Sequence, residues 1–211
     1  MKKLSIVLFV VLLFPCVVCA ETILDIFPDE NVARYIRDEI GAFDVTDEVT
    51  QEQLDEVWNF ANFDGYGEIH DVTGISRLHN LMFIDLSSHW QSDVMITQLP
   101  EEVTTMDWVT SLDLNSLDDL QALPESIGDM KSLTRIDLSG CGITSLPDSI
   151  CELQNLESLI ISECPIEKLP ENIGNLKNLK RLDISDTKIT SLPESIKELQ
   201  LEEFRRSGTP L

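Results

Sequence analysis

The chain has 211 residues, with 38 acidic against 15 basic side chains and a formal charge of −23, enough length for one domain of ordinary size. Such a surface repels phosphate backbones, so no nucleic-acid partner is expected. Basic proteins, cationic surfaces and divalent ions would be attracted, although solubility after export is the plainer reason for the charge.

At the amino terminus Lys2 and Lys3 precede an apolar run from Ile6 to Val18, broken by Pro15, and Val18-Cys19-Ala20 then stands before Glu21. Charge, apolar stretch and small residue follow the order of a secretory signal, so residues 1–20 are expected to be a signal peptide cut after Ala20. The run is shorter than the roughly 20 uninterrupted apolar residues of a membrane span. Neither Cys16 nor Cys19 follows the Gly or Ala of a lipid-anchoring signal. The product is therefore expected in the periplasm or outside the cell, with no membrane span after cleavage. Cleavage removes two Lys and no acid, leaving 13 basic against 38 acidic side chains, a charge of −25. Cys141, Cys151 and Cys164 remain, an odd number that excludes a fully paired disulfide framework.

Residues 21–60 do not repeat and are expected to form a helical cap. Phe27-Pro28-Asp29 followed by Val32, Tyr35, Ile36 and Ile40 has helical spacing, with Gly41 as its stop. Thr50-Gln-Glu-Gln53 is a capping-box pattern ahead of Leu54, Val57 and Trp58, which predicts a second short helix. Asn62-Phe-Asp64-Gly-Tyr-Gly67 echoes a calcium loop. Tyr66 and Thr73 occupy places that need oxygen donors, the twelfth a bidentate Glu, so the segment reads as a glycine-rich turn.

From residue 61 onward the chain is organised by repetition. Leu-Pro recurs at 123, 146, 169 and 192, a step of 23 residues, with an earlier copy at 99. Ile127, Ile150, Ile173 and Ile196 keep the same step, as do Leu133, Leu156 and Leu179, and Ile143, Ile166 and Ile189. Within each unit a stretch such as Leu133 to Leu138 alternates apolar and polar residues, the period of a half-buried strand. The Leu-Pro-x-x-Ile stretch that follows cannot extend a strand ladder, because Pro lacks a donor, and it predicts a short helical turn on the opposite side. One unit cannot bury its apolar face alone, so the units must stack. The first unit, Leu81-x-x-Ile84-x-Leu86, carries five extra residues within Ser88–Met95. A last strand begins at Leu201-x-x-Phe204, one residue early, with Arg206 at an inward position and no convex half before Leu211.

The pattern Leu133-x-x-Ile136-x-Leu138-x-x-Cys141-x-Ile143 resembles the leucine-rich repeat, and Leu-Pro-x-x-Ile-Gly at 123–128 and 169–174 resembles its 23-residue class. The resemblance covers residues 78–211. The run into Asp71-Val-Thr-Gly-Ile75 is similar to the amino-terminal cap of internalin-like bacterial repeat proteins. What the resemblance implies is an α/β solenoid: a parallel sheet on the concave face, short helices or turns on the convex face, and a helical cap in front. It also implies that residues between the buried strand positions face the hollow. These include Phe83, then Arg135 and Asp137, then Ile160, then Arg181 and Asp183. Ile160 stands out as an apolar residue with Arg135 and Arg181 one strand away, and Trp90 as an aromatic in the insertion, the residue type enriched in binding hot spots. Cys141 and Cys164 fall on an inward column and are expected to be buried and reduced, whereas Cys151 replaces Gly128 and Gly174 and is expected nearer solvent.

Catalytic constellations are absent from the sequence. His70, His79 and His89 have no second ligand at zinc-like spacing, Gly65-Tyr-Gly67 leads to no third glycine, and the acids are too many for one pair to stand out. The expectation is an exported binding module for a protein ligand, with no enzyme activity, cofactor or metal. The alternative is an envelope component that self-associates through its carboxyl-terminal repeat.

Overall fold

The computed structural model describes residues 20–61, 63, 65–87 and 94–211. Of the expected leader only Ala20 falls within them. Asn62, Asp64 and Trp90 lie outside.

Three helices open the molecule: α1 (Ile23–Ile26), α2 (Glu30–Ile40) and α3 (Gln51–Leu54). Each has a visible reason to start. Thr22 and Asp25 form a capping box on α1, and Thr50 and Gln53 form the expected one on α3. Asp29 caps α2 by accepting from the backbone of Asn31 and Val32, and Gly41 ends it in the left-handed conformation that suits a residue without a Cβ. The other oxygen of Asp29 accepts from the backbone of His70 and Asp71, so one carboxylate ties the cap helix to the chain leading into the repeats. Gly74 completes the joint. Its φ is +98°, and a Cβ there would collide with the Ile26 carbonyl. A cluster of Tyr35, Phe60, Phe63 and Tyr66, with rings 4.7–5.6 Å apart, packs the cap onto the solenoid.

Six strands follow, β1 (Phe83–Asp85), β2 (Ser111–Asp113), β3 (Arg135–Asp137), β4 (Ser158–Ile160), β5 (Arg181–Asp183) and β6 (Glu203–Arg205), forming one parallel sheet in chain order. The central residues Ile84, Leu112, Ile136, Leu159, Leu182 and Phe204 stand in register. The first five are buried in a continuous core, joined from the convex side by the repeated Ile127, Ile150 and Ile173. Phe204 keeps the early register read from Leu201-x-x-Phe204 and is 36% exposed, with the Arg206 guanidinium 5.8 Å from its ring centre. The Leu-Pro stretches form single 3-10 turns, for example Asp148–Glu152 and Glu194–Glu198, started by Pro147 and Pro193. The sheet also gains a rung ahead of β1: Phe60 bridges to Ile84 in parallel.

Polar side chains stitch adjacent coils, from buried positions at the cysteines to exposed ones at the asparagines. Cys141 donates to the Leu114 carbonyl and Cys164 to that of Leu138, at 3.0 and 2.9 Å. Thr209 continues this column onto the Ile184 carbonyl at 2.6 Å. Asn155 and Asn178 donate to the Lys131 and Gln154 carbonyls. Both inward cysteines are buried thiols, as expected. Cys151 departs from the expectation of greater exposure, being only 4% exposed. The reason lies in uneven packing of the convex turns. Gly128 closes on the Ser149 carbonyl and Gly174 on that of Ser195, with no room for a Cβ. The turn bearing Cys151 meets the following turn less closely, which leaves room there for a side chain.

Candidate functional site

The concave face is built by the short strands themselves. In each, the middle residue points into the core and its two neighbours point out, because successive side chains alternate across a sheet. This gives two solvent-facing columns, and the residue just ahead of each strand, where the alternation has not begun, adds a third beside them. One runs through Met82, Thr110, Thr134, Glu157 and Lys180. The next holds Phe83, Ser111, Arg135, Ser158, Arg181 and Glu203, and the third Asp85, Asp113, Asp137, Ile160, Asp183 and Arg205.

A hollow of about 660 Å³ opens on this face, lined by Asp113, Thr134, Arg135, Asp137, Glu157, Ser158, Ile160, Lys180 and Arg181. Four of the residues singled out from sequence, Arg135, Asp137, Ile160 and Arg181, therefore meet in one place. Their arrangement differs from the sequence reading in one respect. The register pairs Arg135 and Arg181 with Ser158, while Ile160 stands level with Asp137 and Asp183. Ile160 is half-buried, with a carboxylate rather than a guanidinium on each side.

The aspartate column has a job in the backbone. Asp85, Asp137 and Asp183 each accept from the backbone N–H two residues on, in Ser87, Ser139 and Ser185, and Asp113 does so for Asn115. Such turns end the strand and send the chain toward the convex side. Asp183, expected on the open hollow, is in fact buried: its carboxylate lies against this turn with Arg205 3.9 Å away. At Ile160 the column breaks. An apolar side chain occupies the place where the other strands carry the turn-closing acid.

Charges across the hollow are mostly matched. Lys180 pairs with Glu157 at 2.8 Å, which raises the lysine above its ordinary pKa. Arg181 lies 3.3 Å from Glu203, which also holds Arg205. Arg135 makes no ion pair among the described residues, which leaves its guanidinium open to an incoming acceptor. No group of His, Cys, Asp and Glu among the described residues is arranged to hold a metal.

Phe83 is 54% exposed but lies outside this hollow, two strands toward the cap from Arg135. Beside it stand two residues that the sequence reading missed, Trp58 at 73% exposure and Met82 at 49%. Trp58 was expected to lie on the second cap helix. Instead α3 ends at Leu54, and residues 57–60 run beside β1 as the extra rung. The signal was present in Val57-x-x-Phe60, which repeats the spacing of Leu81-x-x-Ile84.

A parallel sheet of identical short strands joined by 3-10 turns defines a solenoid, and the described geometry is that of the leucine-rich repeat. The chain is a leucine-rich-repeat protein with an internalin-like amino-terminal cap. Residues 18–55 match the family described as the amino-terminal region of bacterial adhesion/invasion proteins. Residues 132–153 match a leucine-rich repeat, and 154–198 a pair of them. Among solved structures, an internalin-like protein of Listeria monocytogenes superposes with a TM-score of 0.69 at 20% identity, over 90% of this chain and 57% of that one. InlP of the same organism gives 0.66 at 22% identity, over 90% and 54%. A leucine-rich-repeat protein of Leptospira interrogans gives 0.52 at 24%, over 68% and 41%. At these identities the likeness concerns the fold, and this chain spans about half the length of those proteins. No curated protein matches the sequence. Among the described residues no helix is long and apolar enough to cross a membrane.

Proposed function

We propose that the protein is an exported binding module that engages a protein partner through the concave face of its sheet. The observation that carries this reading is the hollow itself. Arg135, Ser158, Ile160 and Arg181 are held on a rigid sheet, and of their side chains none is needed to fill the core. A few central residues commonly supply most of the affinity of an interface, and Ile160, sharing the hollow with Arg135, has that form. The match of residues 18–55 to the amino-terminal region of bacterial adhesion/invasion proteins supports both export and a binding role. Phe83, Asp137 and Asp183 belong to the same face. Trp90 lies outside the described residues and remains a candidate from sequence alone.

The test is affinity capture on the mature chain, followed by titration of the captured partner. Ile160→Asp should weaken binding at least about tenfold, or ~1.4 kcal/mol, with little change in Tm. Its folding should survive, because the new carboxylate would stand where Asp137 and Asp183 accept the N–H two residues on. Trp90→Ala should act in the same direction. Unchanged affinity in both variants would move the site off this face.

A further inference from the structure

We infer that the end of the concave face nearest the cap, formed by Trp58, Met82 and Phe83, is a docking platform for a basic partner protein that presents an apolar side chain between Lys or Arg residues. The inference rests on the concave-face reading above and deepens it by assigning the chemistry of the partner and a second point of contact.

Placement comes first. The Phe60–Ile84 bridge sets Trp58 level with Met82, and Met82 belongs to the same column as Thr134, Glu157 and Lys180, which line the hollow. Trp58, Met82 and Phe83 thus sit on two neighbouring rungs and face the same side as the hollow. All three are large, and they are 73%, 49% and 54% exposed. The corresponding places on later strands hold Thr134, Arg135, Glu157, Ser158, Lys180 and Arg181, so the apolar character is confined to this end.

None of the three is required by the core. Val57, Phe60, Leu81 and Ile84 fill the interior of these two rungs and are buried. Polar residues at 58, 82 and 83 would fold as well, as Thr134 and Arg135 do on β3. Three clustered large apolar side chains left in water cost solubility, and grouped exposure of this kind marks contact surfaces.

The border of the platform selects the partner. The segments 54–61, 78–87 and 106–115 that build this end carry Asp55, Glu56, Asp85, Asp107 and Asp113 and contain neither Lys nor Arg. The one titratable base among them, His79, is engaged by Asp55 at 3.3 Å and by the Trp108 ring. An apolar patch inside a border of carboxylates complements an apolar anchor inside a border of cations. The formal charge of −23 over the whole chain draws the same partner from a distance.

The experiment selects a phage-displayed library of random twelve-residue peptides on the immobilised chain, residues 21–211, and titrates the enriched peptides against four proteins. These are the parent, Trp58→Ser, Phe83→Ser and Ile160→Asp. The expected result is enrichment of sequences that combine Trp, Phe or Leu with flanking Lys or Arg. Their affinity should fall at least about tenfold in Trp58→Ser and Phe83→Ser and weaken as salt rises. Circular dichroism melts of the two serine variants should overlay the parent. Enrichment of acidic or uncharged sequences overturns the inference, as does affinity indifferent to Trp58 and Phe83. Dependence on Ile160 alone would leave the concave-face reading standing and remove this one. Indifference to all three substitutions, or no enrichment, removes both.

Discussion

Asp29 shows how much one side chain can organise. It caps α2 with one oxygen and holds the backbone of His70 and Asp71 with the other. Asp29→Ala orphans four donors at the joint between cap and solenoid, two of them in a helix start, so the expected loss is about 2–4 kcal/mol by denaturant titration. Asp29→Asn keeps one acceptor and should recover part of it. Among the thiols, burial pushes Cys141 up to about 12 and Cys164 and Cys151 up to about 11. At neutral pH all three are protonated and should react with a maleimide only as the chain opens. Rapid labelling of Cys141 and Cys164 in the native state would show that they are misplaced. Because the folded values lie above that of an unfolded thiol near 9, the thiols add no penalty below pH 9. Stability is lost as pH rises from 9 toward 11–12, where the unfolded chain ionises first. Cys141→Val should flatten that alkaline limb in pH-dependent melts.

At the scale of strands and turns, the repeat was legible because one spacing of 23 residues relates β3, β4 and β5. Leu, Ile and Pro recurring at 23 residues predict the strand, the turn and the parallel stacking together, and each proves to be where the period puts it. One neighbourhood was misread, and two features were not legible. The 23-residue step from 137 to 160 to 183 already sets Asp137 and Asp183 level with Ile160, while Arg135 and Arg181, one strand away on either side, stand diagonal to it. The burial of Cys151 depends on how two convex turns approach each other, which no single repeat encodes. The extra rung at 57–60 hid behind the capping box of α3, whose helical signal fades after Leu54 while the apolar spacing runs on. The two sides of β4 can be separated by experiment. Leu159→Ala removes a fully buried side chain and should cost roughly 2–5 kcal/mol. Ile160→Asp should shift the Tm by no more than a degree or two. A large destabilisation by Ile160→Asp would mean that its side chain serves the core.

For the molecule as a whole, export and oligomeric state are open to direct measurement. The mass of the exported product should correspond to a chain beginning at Glu21, with residues 1–20 removed and no lipid on Cys16 or Cys19. Glu21 has a place in the fold, its carboxylate 2.8 Å from Arg77. Light scattering should give a monomer; a dimer independent of concentration would favour self-association through residues 201–211. The stitching between coils also has a direction. Thr110, Thr134, Cys141, Asn155, Cys164, Asn178 and Thr209 all donate to carbonyls of the coil before their own. A chain that emerges from its amino end therefore meets the acceptors for these side chains already in position, while backbone donors such as those of Leu138 and Ile161 wait for the carbonyls of the next coil. Loss of a terminal coil is then unequal at the two ends. Taking one from the carboxyl side strands backbone donors such as those of Ile184 and Asp186, whereas taking one from the amino side strands backbone donors and, in addition, the side-chain donors that lean back on it, so the cost is greater there.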